Sequence, residues 1–201
     1  MDRRFPLVEI FSSFQGEGRN AGLQCVFVRF AGCNFSCPWC DTDKRENFSA
    51  AADEIVEEVS RYPMRNIILT GGEPTAVQGV GELVEALKRN GWWVAVETNG
   101  SADAPWLALA DYVACSPKCE YRDRIALRRA DEVRVVASRG ADETEAFCRC
   151  VEKIVEAKAY YVSPCDRPEA GGMDFPTAKS VLARLPRWSL SVQLHKILGF
   201  R

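Results

Sequence analysis

Histidine is almost absent from this chain. There is one, His195, and that scarcity excludes more chemistry than any other feature of the composition. H-E-x-x-H zinc sites and facial triads built on two histidines are ruled out, and a histidine general base has only one position, near the C-terminus. A basic surplus is missing too: the formal net charge is −2, so nothing in the overall charge points to nucleic acid. No apolar run approaches a membrane span, and the opening MDRRFPLVEIFSSF is broken by Pro6 and Glu9 and lacks a signal-peptide core. The expectation is a cytoplasmic protein with neither a membrane nor a nucleic-acid partner. Repeats, low-complexity tracts and linkers are also lacking, and 201 residues suit a single domain, 1–201, with a substantial core.

Cysteine is what the chain has in plenty. Nine is an odd count for a disulfide scaffold, and the chain is far larger than the secreted folds that depend on bridges. In a reducing compartment these are thiols, metal ligands or reactive groups.

Short β-rich runs alternate with amphipathic stretches. The strand candidates are LQCVFVRF (23–30), NIILT (66–70), WVAVET (93–98), YVACS (112–116), EVRVVA (132–137), AYYVS (159–163) and LSVQL (190–194). Helix candidates are 51–62, 80–90, 143–157 and 176–185. In the third, Phe147, Val151, Ile154 and Val155 recur at helical spacing. Such alternation argues for an α/β fold with a parallel sheet. A closed eight-fold barrel typically needs about 250 residues. The chain is therefore expected to form a partial, open (β/α) barrel, with mostly parallel strands and reduced helices. Its unusual residues sit after strand candidates, where such folds collect their chemistry: Thr70-Gly-Gly-Glu-Pro, Glu97-Thr-Asn-Gly, Ser116-Pro-Lys and Ser163-Pro.

AGCNFSCPWCDTD, residues 31–43, packs Cys33, Cys37 and Cys40 into eight positions. Zinc sites and iron–sulfur cubanes both take four ligands. A zinc site would need Cys25, which lies in the preceding strand candidate, where wrapping back is awkward. A distant cysteine completing a closed site is another alternative. A 4Fe–4S cluster on three thiolates instead leaves one iron open to a substrate.

C-x3-C-x2-C with Trp39 before its last cysteine resembles the signature of radical S-adenosylmethionine (SAM) enzymes. Gly71-Gly72-Glu73-Pro74, directly after a strand candidate, is similar to the motif that holds the SAM amino group in that superfamily. Paired glycines allow close approach of backbone to ligand, and a carboxylate beside them suits an ammonium. Within the superfamily the chain resembles the 7-carboxy-7-deazaguanine synthases over nearly its whole length. EIFSSFQGEG (9–18), CDT (40–42), TGGEPT, ETNG, CSPK, SPCD and SLSVQLHKILGF (189–200) fall in the expected order.

The resemblance implies a carbon–nitrogen lyase of 7-deazapurine (queuosine precursor) biosynthesis. Its reaction converts 6-carboxy-5,6,7,8-tetrahydropterin to 7-carboxy-7-deazaguanine. SAM cleavage gives a 5′-deoxyadenosyl radical that takes hydrogen from C6, the ring contracts and ammonia leaves. Implied cofactors are a 4Fe–4S cluster on Cys33, Cys37 and Cys40, SAM, and Mg2+ on Thr42. For SAM the matching positions are Trp39, Cys40, Asp41, Gly72, Glu73, Gly100, Ser116, Pro117, Lys118, Ser163, Pro164, Cys165 and Asp166. For substrate they are Phe14, Gln15, Gly16, Glu17, Arg29, Thr98 and His195, with Glu17 expected to orient Arg29 or to touch substrate. Arg29 in an apolar strand is informative by itself, since a buried guanidinium needs an anion. Family members commonly end in proline, whose terminal carboxylate reaches the substrate. Here the chain ends Gly199-Phe200-Arg201, so that carboxylate would be Arg201's, with its side chain turned away. The resemblance further implies a homodimer and a flavodoxin or ferredoxin electron donor, and no auxiliary cluster on Cys115, Cys119, Cys148, Cys150 and Cys165. The alternatives are a glycyl-radical-enzyme activating enzyme and a non-catalytic zinc-binding protein.

Overall fold

β-branched and large apolar residues dominate the strands, and several strands are apolar on both faces, as a sheet covered on both sides requires. The computed structural model describes residues 3–167, 169 and 171–200. In chain order the elements are β1 (Arg4–Phe14), β2 (Gln24–Phe30), β3 (Phe48–Ala51), α1 (Ala52–Val59), β4 (Asn66–Gly71), α2 (Val80–Arg89) and β5 (Trp93–Thr98). They continue with β6 (Tyr112–Cys115), β7 (Arg129–Ala137), α3 (Ala141–Ile154), β8 (Glu156–Pro164), β9 (Asp166–Arg167), β10 (Gly172–Met173), α4 (Phe175–Leu182), β11 (Trp188–Leu190) and α5 (Leu194–Leu198).

One sheet runs in the order β11-β8-β7-β6-β5-β4-β2-β1-β3. Every pairing from β2 to β11 is parallel, and β1 pairs antiparallel with both β2 and β3. No ladder joins β11 to β3 among the described residues, so the sheet is open, as expected. Its outer face packs under the helices in the main core, which includes Leu69, Leu83, Leu87, Val96, Phe147 and Val162. Against the inner face a small second cluster of Cys25, Ile68 and Ala95, with Phe27, Trp93 and Tyr112, fills the end where the parallel strands begin.

The boundaries differ from expectation in instructive ways. β1 went unassigned because Pro6 and a mixed pattern disguise it. Pro6 pairs with Ser49 in register, and its carbonyl accepts the Ala31 N–H at 3.0 Å, so the missing donor costs nothing there. The third helix stops at Ile154 rather than 157. Val155 is extended, and Glu156 already pairs with Arg129 in the sheet. The strand expected at 190–194 ends at Leu190, and His195 lies in α5. Ser191 N–H still bonds Val162 O, but Leu194 N–H bonds Gly16 O, which pulls the chain across the open end of the sheet.

Candidate active site

Alternation along the strands builds the site. On β2 the residues Cys25, Phe27 and Arg29 share one face, and on β5 so do Trp93, Ala95 and Glu97. Their early members belong to the inner apolar cluster, while Arg29 and Glu97 line an open cavity of about 500 Å³ at the C-terminal strand ends. Thr70 from β4, Arg134 and Val136 from β7, and Glu9 and Phe11 from β1 complete this wall. The cysteine loop and α5 cover it, through Cys33, Cys37, Trp39, Cys40, Asp41 and Thr42 on one side and His195 and Lys196 on the other.

The glycine pair explains how the cysteine loop comes so close to the sheet. Gly72 N–H bonds Phe30 O at 3.0 Å and Glu73 N–H bonds Gly32 O at 3.2 Å. A Cβ at Gly72 would stand 1.3 Å from the Gly32 carbonyl oxygen, so only glycine fits next to the residue preceding Cys33. Glu73 is buried, and its carboxylate ties the loop after β4 to the loop after β5. Oε1 accepts from Thr75 N and Oγ1 and from Thr98 Oγ1, and Oε2 accepts from Asn99 N at 2.6 Å. Only Oε2, with one donor, keeps acceptor capacity toward the cavity.

Arg29 donates from Nε to Glu9 Oε1 at 2.8 Å, so the anion foreseen for it is present within the protein itself. Glu17 does not orient Arg29. Its Oε2 pairs with Arg134 Nη1 at 2.8 Å and its Oε1 accepts from Gln193 Nε2 at 2.7 Å. Arg134 also meets Glu97 through Nη2 and Glu132 through Nε. Glu97 Oε1 in turn holds Gln15 Nε2 at 2.8 Å. Sequence reasoning missed Arg134 and Lys196, and it marked Glu97 only as part of a strand-end motif without giving it a role. The signal for Glu97 and Arg134 was a charged residue on the inner face of an apolar strand, the argument already applied to Arg29.

Lys196 Nζ reaches Asp41 Oδ2 at 2.5 Å and Asp166 Oδ2 at 2.9 Å, pinning the cysteine loop to α5 and β9. Burial works against the Asp41 carboxylate, but Lys196 outweighs it and holds the group below the usual carboxylate range. Burial lowers the pKa of the His195 imidazole; Lys196 and Arg29 add to this, and Glu17 and Asp41 oppose it. His195 Nδ1 sits where a Cβ on Gly16 would be, at 2.3 Å.

Of the expected residues, Phe14, Gln15, Gly16, Glu17, Arg29, Cys33, Cys37, Trp39, Cys40, Asp41, Thr42, Gly72, Glu73, Thr98, Ser116, Lys118 and His195 all line this cavity. Gly100, Pro117, Ser163, Pro164, Cys165 and Asp166 do not. Gly100, at φ +76°, faces Cys115 Sγ, and its carbonyl receives the Ala126 and Leu127 N–H groups. Ser163 Oγ is buried at the end of β8 with no hydrogen-bond partner among the described residues. Arg201 lies outside the described residues.

The three thiols suit a shared cluster. They line one cavity from a loop without regular structure, and all three act on Lys44: burial disfavours its ammonium, yet Cys40, Cys33 and Cys37 together raise its pKa. Among the described residues no three His, Cys, Asp or Glu side chains are already gathered at metal-ligand spacing. Cys25 cannot join them. It is fully buried against Ile68 and Ala95 at the far end of β2, where burial pushes its thiol up to about 12. The remaining Glu73 acceptor is a polar group that a cofactor bound in the cavity would satisfy.

The sequence description of the Radical SAM superfamily matches residues 27–127, half of the chain. A 7-carboxy-7-deazaguanine synthase of Haemophilus influenzae is 41% identical, covering 97% of this chain and 93% of its own. Namesakes from Neisseria meningitidis and Bacteroides thetaiotaomicron are 40% and 37% identical, each over at least 94% of both chains. The fold is shared with crystalline QueE from Escherichia coli, with TM-score 0.75 and 23% identity over 96% of this chain and 95% of that one. No helix is long and apolar enough to cross a membrane among the described residues. The chain belongs to the 7-carboxy-7-deazaguanine synthase family of the radical SAM superfamily.

Proposed function

We propose that the 201 residues act as one domain that converts 6-carboxy-5,6,7,8-tetrahydropterin to 7-carboxy-7-deazaguanine with loss of ammonia. The observation that carries the reading is a single cavity, lined at one side by Cys33, Cys37 and Cys40 and at the other by Gln15, Glu17, Arg29 and His195. Bound together, the cluster and SAM would supply the one-electron radical chemistry that starts the rearrangement. The chain's own residues do the holding. Cys33, Cys37 and Cys40 ligate the cluster. Gly72 and Glu73 receive the amino end of SAM, Glu73 through Oε2. Trp39, under the Lys118 ammonium at 5.1 Å, packs beside it. The remaining SAM contacts are assigned to Asp41, Gly100, Ser116 to Lys118 and Ser163 to Asp166, of which Asp41, Ser116 and Lys118 line the cavity.

Arg29, turned by Glu9, meets the substrate carboxylate. Phe14, Gln15, Gly16, Glu17 and Thr98 surround the ring, and His195 closes the far side. Thr42 holds Mg2+ beside the substrate. Thr42 lines the cavity next to the cysteine loop, and a hydroxyl is the hard oxygen donor that suits Mg2+. An electron donor such as flavodoxin or ferredoxin, a homodimer and a cytoplasmic setting complete the reading. A cavity of this size receives a small molecule rather than a protein loop, which disfavours a glycyl-radical activating enzyme.

Anaerobic reconstitution with iron and sulfide tests the reading. It predicts a brown protein whose reduced EPR signal changes on adding SAM. Zinc binding with no chromophore would overturn it.

A further inference from the structure

Arg134 is 5% exposed in the middle of β7, with Glu17, Glu97 and Glu132 all in ion-pair contact. A purely structural pair is usually balanced and remote from ligand. This one sets a single cation against three carboxylates, two of which, Glu17 and Glu97, line the cavity. Glu132 is the member turned away from it, bonded to Arg19 N at 2.8 Å and Tyr112 OH at 2.7 Å.

The hydrogen bonds close a ring. Arg134 bridges Glu17 and Glu97, Glu97 holds the Gln15 amide nitrogen, and the Gln15 carbonyl accepts the Glu17 backbone N–H at 3.2 Å. Gln193 braces the other Glu17 oxygen. The Gln15 amide therefore cannot flip, and both lining carboxylates have fixed planes. Carboxylates only accept hydrogen bonds, so a surplus of them in a cavity wall is complementary to a ligand edge that only donates. Adjacent ring N–H and exocyclic NH2 groups of a 2-aminopyrimidinone form such an edge.

We propose that Arg134 and Glu97 are positioning residues, fixing Glu17 and Gln15 as the reader of that donor edge and thereby setting a preference for rings carrying the 2-amino group. The proposal rests on the carboxypterin reading above. Deleting a substrate donor strands buried acceptors, which penalises the deaminated ring far more than loss of its own atoms would.

The test is calorimetric binding of 6-carboxytetrahydropterin and its 2-deamino analogue to reconstituted enzyme with SAM and no reductant. Wild type, Glu97→Gln and Arg134→Lys are compared. Wild type is expected to prefer the amino ring by about 10- to 100-fold, and both variants to lose most of that ratio while binding SAM as wild type does. General loosening would weaken both ligands alike and leave the ratio intact, so an unchanged ratio overturns the positioning role, as does wild type showing no preference. If Arg134→Lys does not fold, Gln193→Ala removes one brace on Glu17 and is expected to lower the ratio in part; an unaltered ratio there and in Glu97→Gln also overturns the role. Wild type that binds no carboxypterin overturns the substrate reading, and this inference falls with it.

Discussion

Glu73→Gln is the substitution whose cost can be worked most directly from the geometry. The carboxylate is 1% exposed and accepts three hydrogen bonds at Oε1 and one at Oε2. A glutamine at this position does best with its amide oxygen at the three-donor side, which turns its NH2 against the Asn99 N–H. Orphaning that buried N–H costs about 1–3 kcal/mol. The three remaining bonds lose their charge, but the desolvation cost of the carboxylate disappears with it, and the two largely offset. A net loss of about 1–3 kcal/mol follows, which for a chain of this size lowers Tm by roughly 2–12 °C. Circular dichroism melts of the two apoproteins at pH 7 read the shift, and amide hydrogen exchange reads Asn99 directly. Unchanged Tm together with unchanged Asn99 protection would refute the idea that Glu73 joins the β4 and β5 loops.

Gly72→Ala forces a Cβ into the Gly32 carbonyl, overpacking that costs roughly 1–3 kcal/mol or displaces the cysteine loop. Iron content after reconstitution should fall sharply, whereas Gly140→Ala, with nothing within 4 Å, should load normally. Lys196→Met should cost up to about 1 kcal/mol at pH 7, since Asp41 is largely exposed. Because the Asp41 pKa is lowered by folding, its contribution is complete above its ordinary value of 3.8 and disappears as pH falls through the lowered one, so melting curves of the two proteins should converge as the pH drops below 3.8. Thr42→Ala should leave the cluster spectrum intact and abolish stimulation by Mg2+, and an unaltered Mg2+ titration of activity would remove Thr42 from the metal site.

How much was legible in the sequence follows the range of the forces involved. The parallel strands and the helices at 80–90 and 176–185 are written in local periodicity, and their positions matched to within a few residues. The triplet and GGEP motif are also local, and their juxtaposition through Gly72 and Gly32 needed only a strand before each. β1 was hidden because its stability comes from pairing with β2 and β3, which no local pattern around Pro6 reveals. The partners of the charged residues were hidden for the same reason. Glu17 is 117 residues from Arg134 and Lys196 is far along the chain from Asp41, so only the folded topology tells which acid meets which base. Glu9 as the anion for Arg29 was within reach, since both sit on the first two strands, but the pairing of those strands had to be known first.

The central claim is that one cavity joins SAM chemistry to a carboxypterin. Its most direct test is anaerobic turnover with reductant, Mg2+, 6-carboxytetrahydropterin in excess and SAM below the enzyme's total output, followed by mass spectrometry. The account predicts 7-carboxy-7-deazaguanine in excess of the SAM supplied. Accumulation of 5′-deoxyadenosine in step with SAM loss, with no deazapurine, would contradict it.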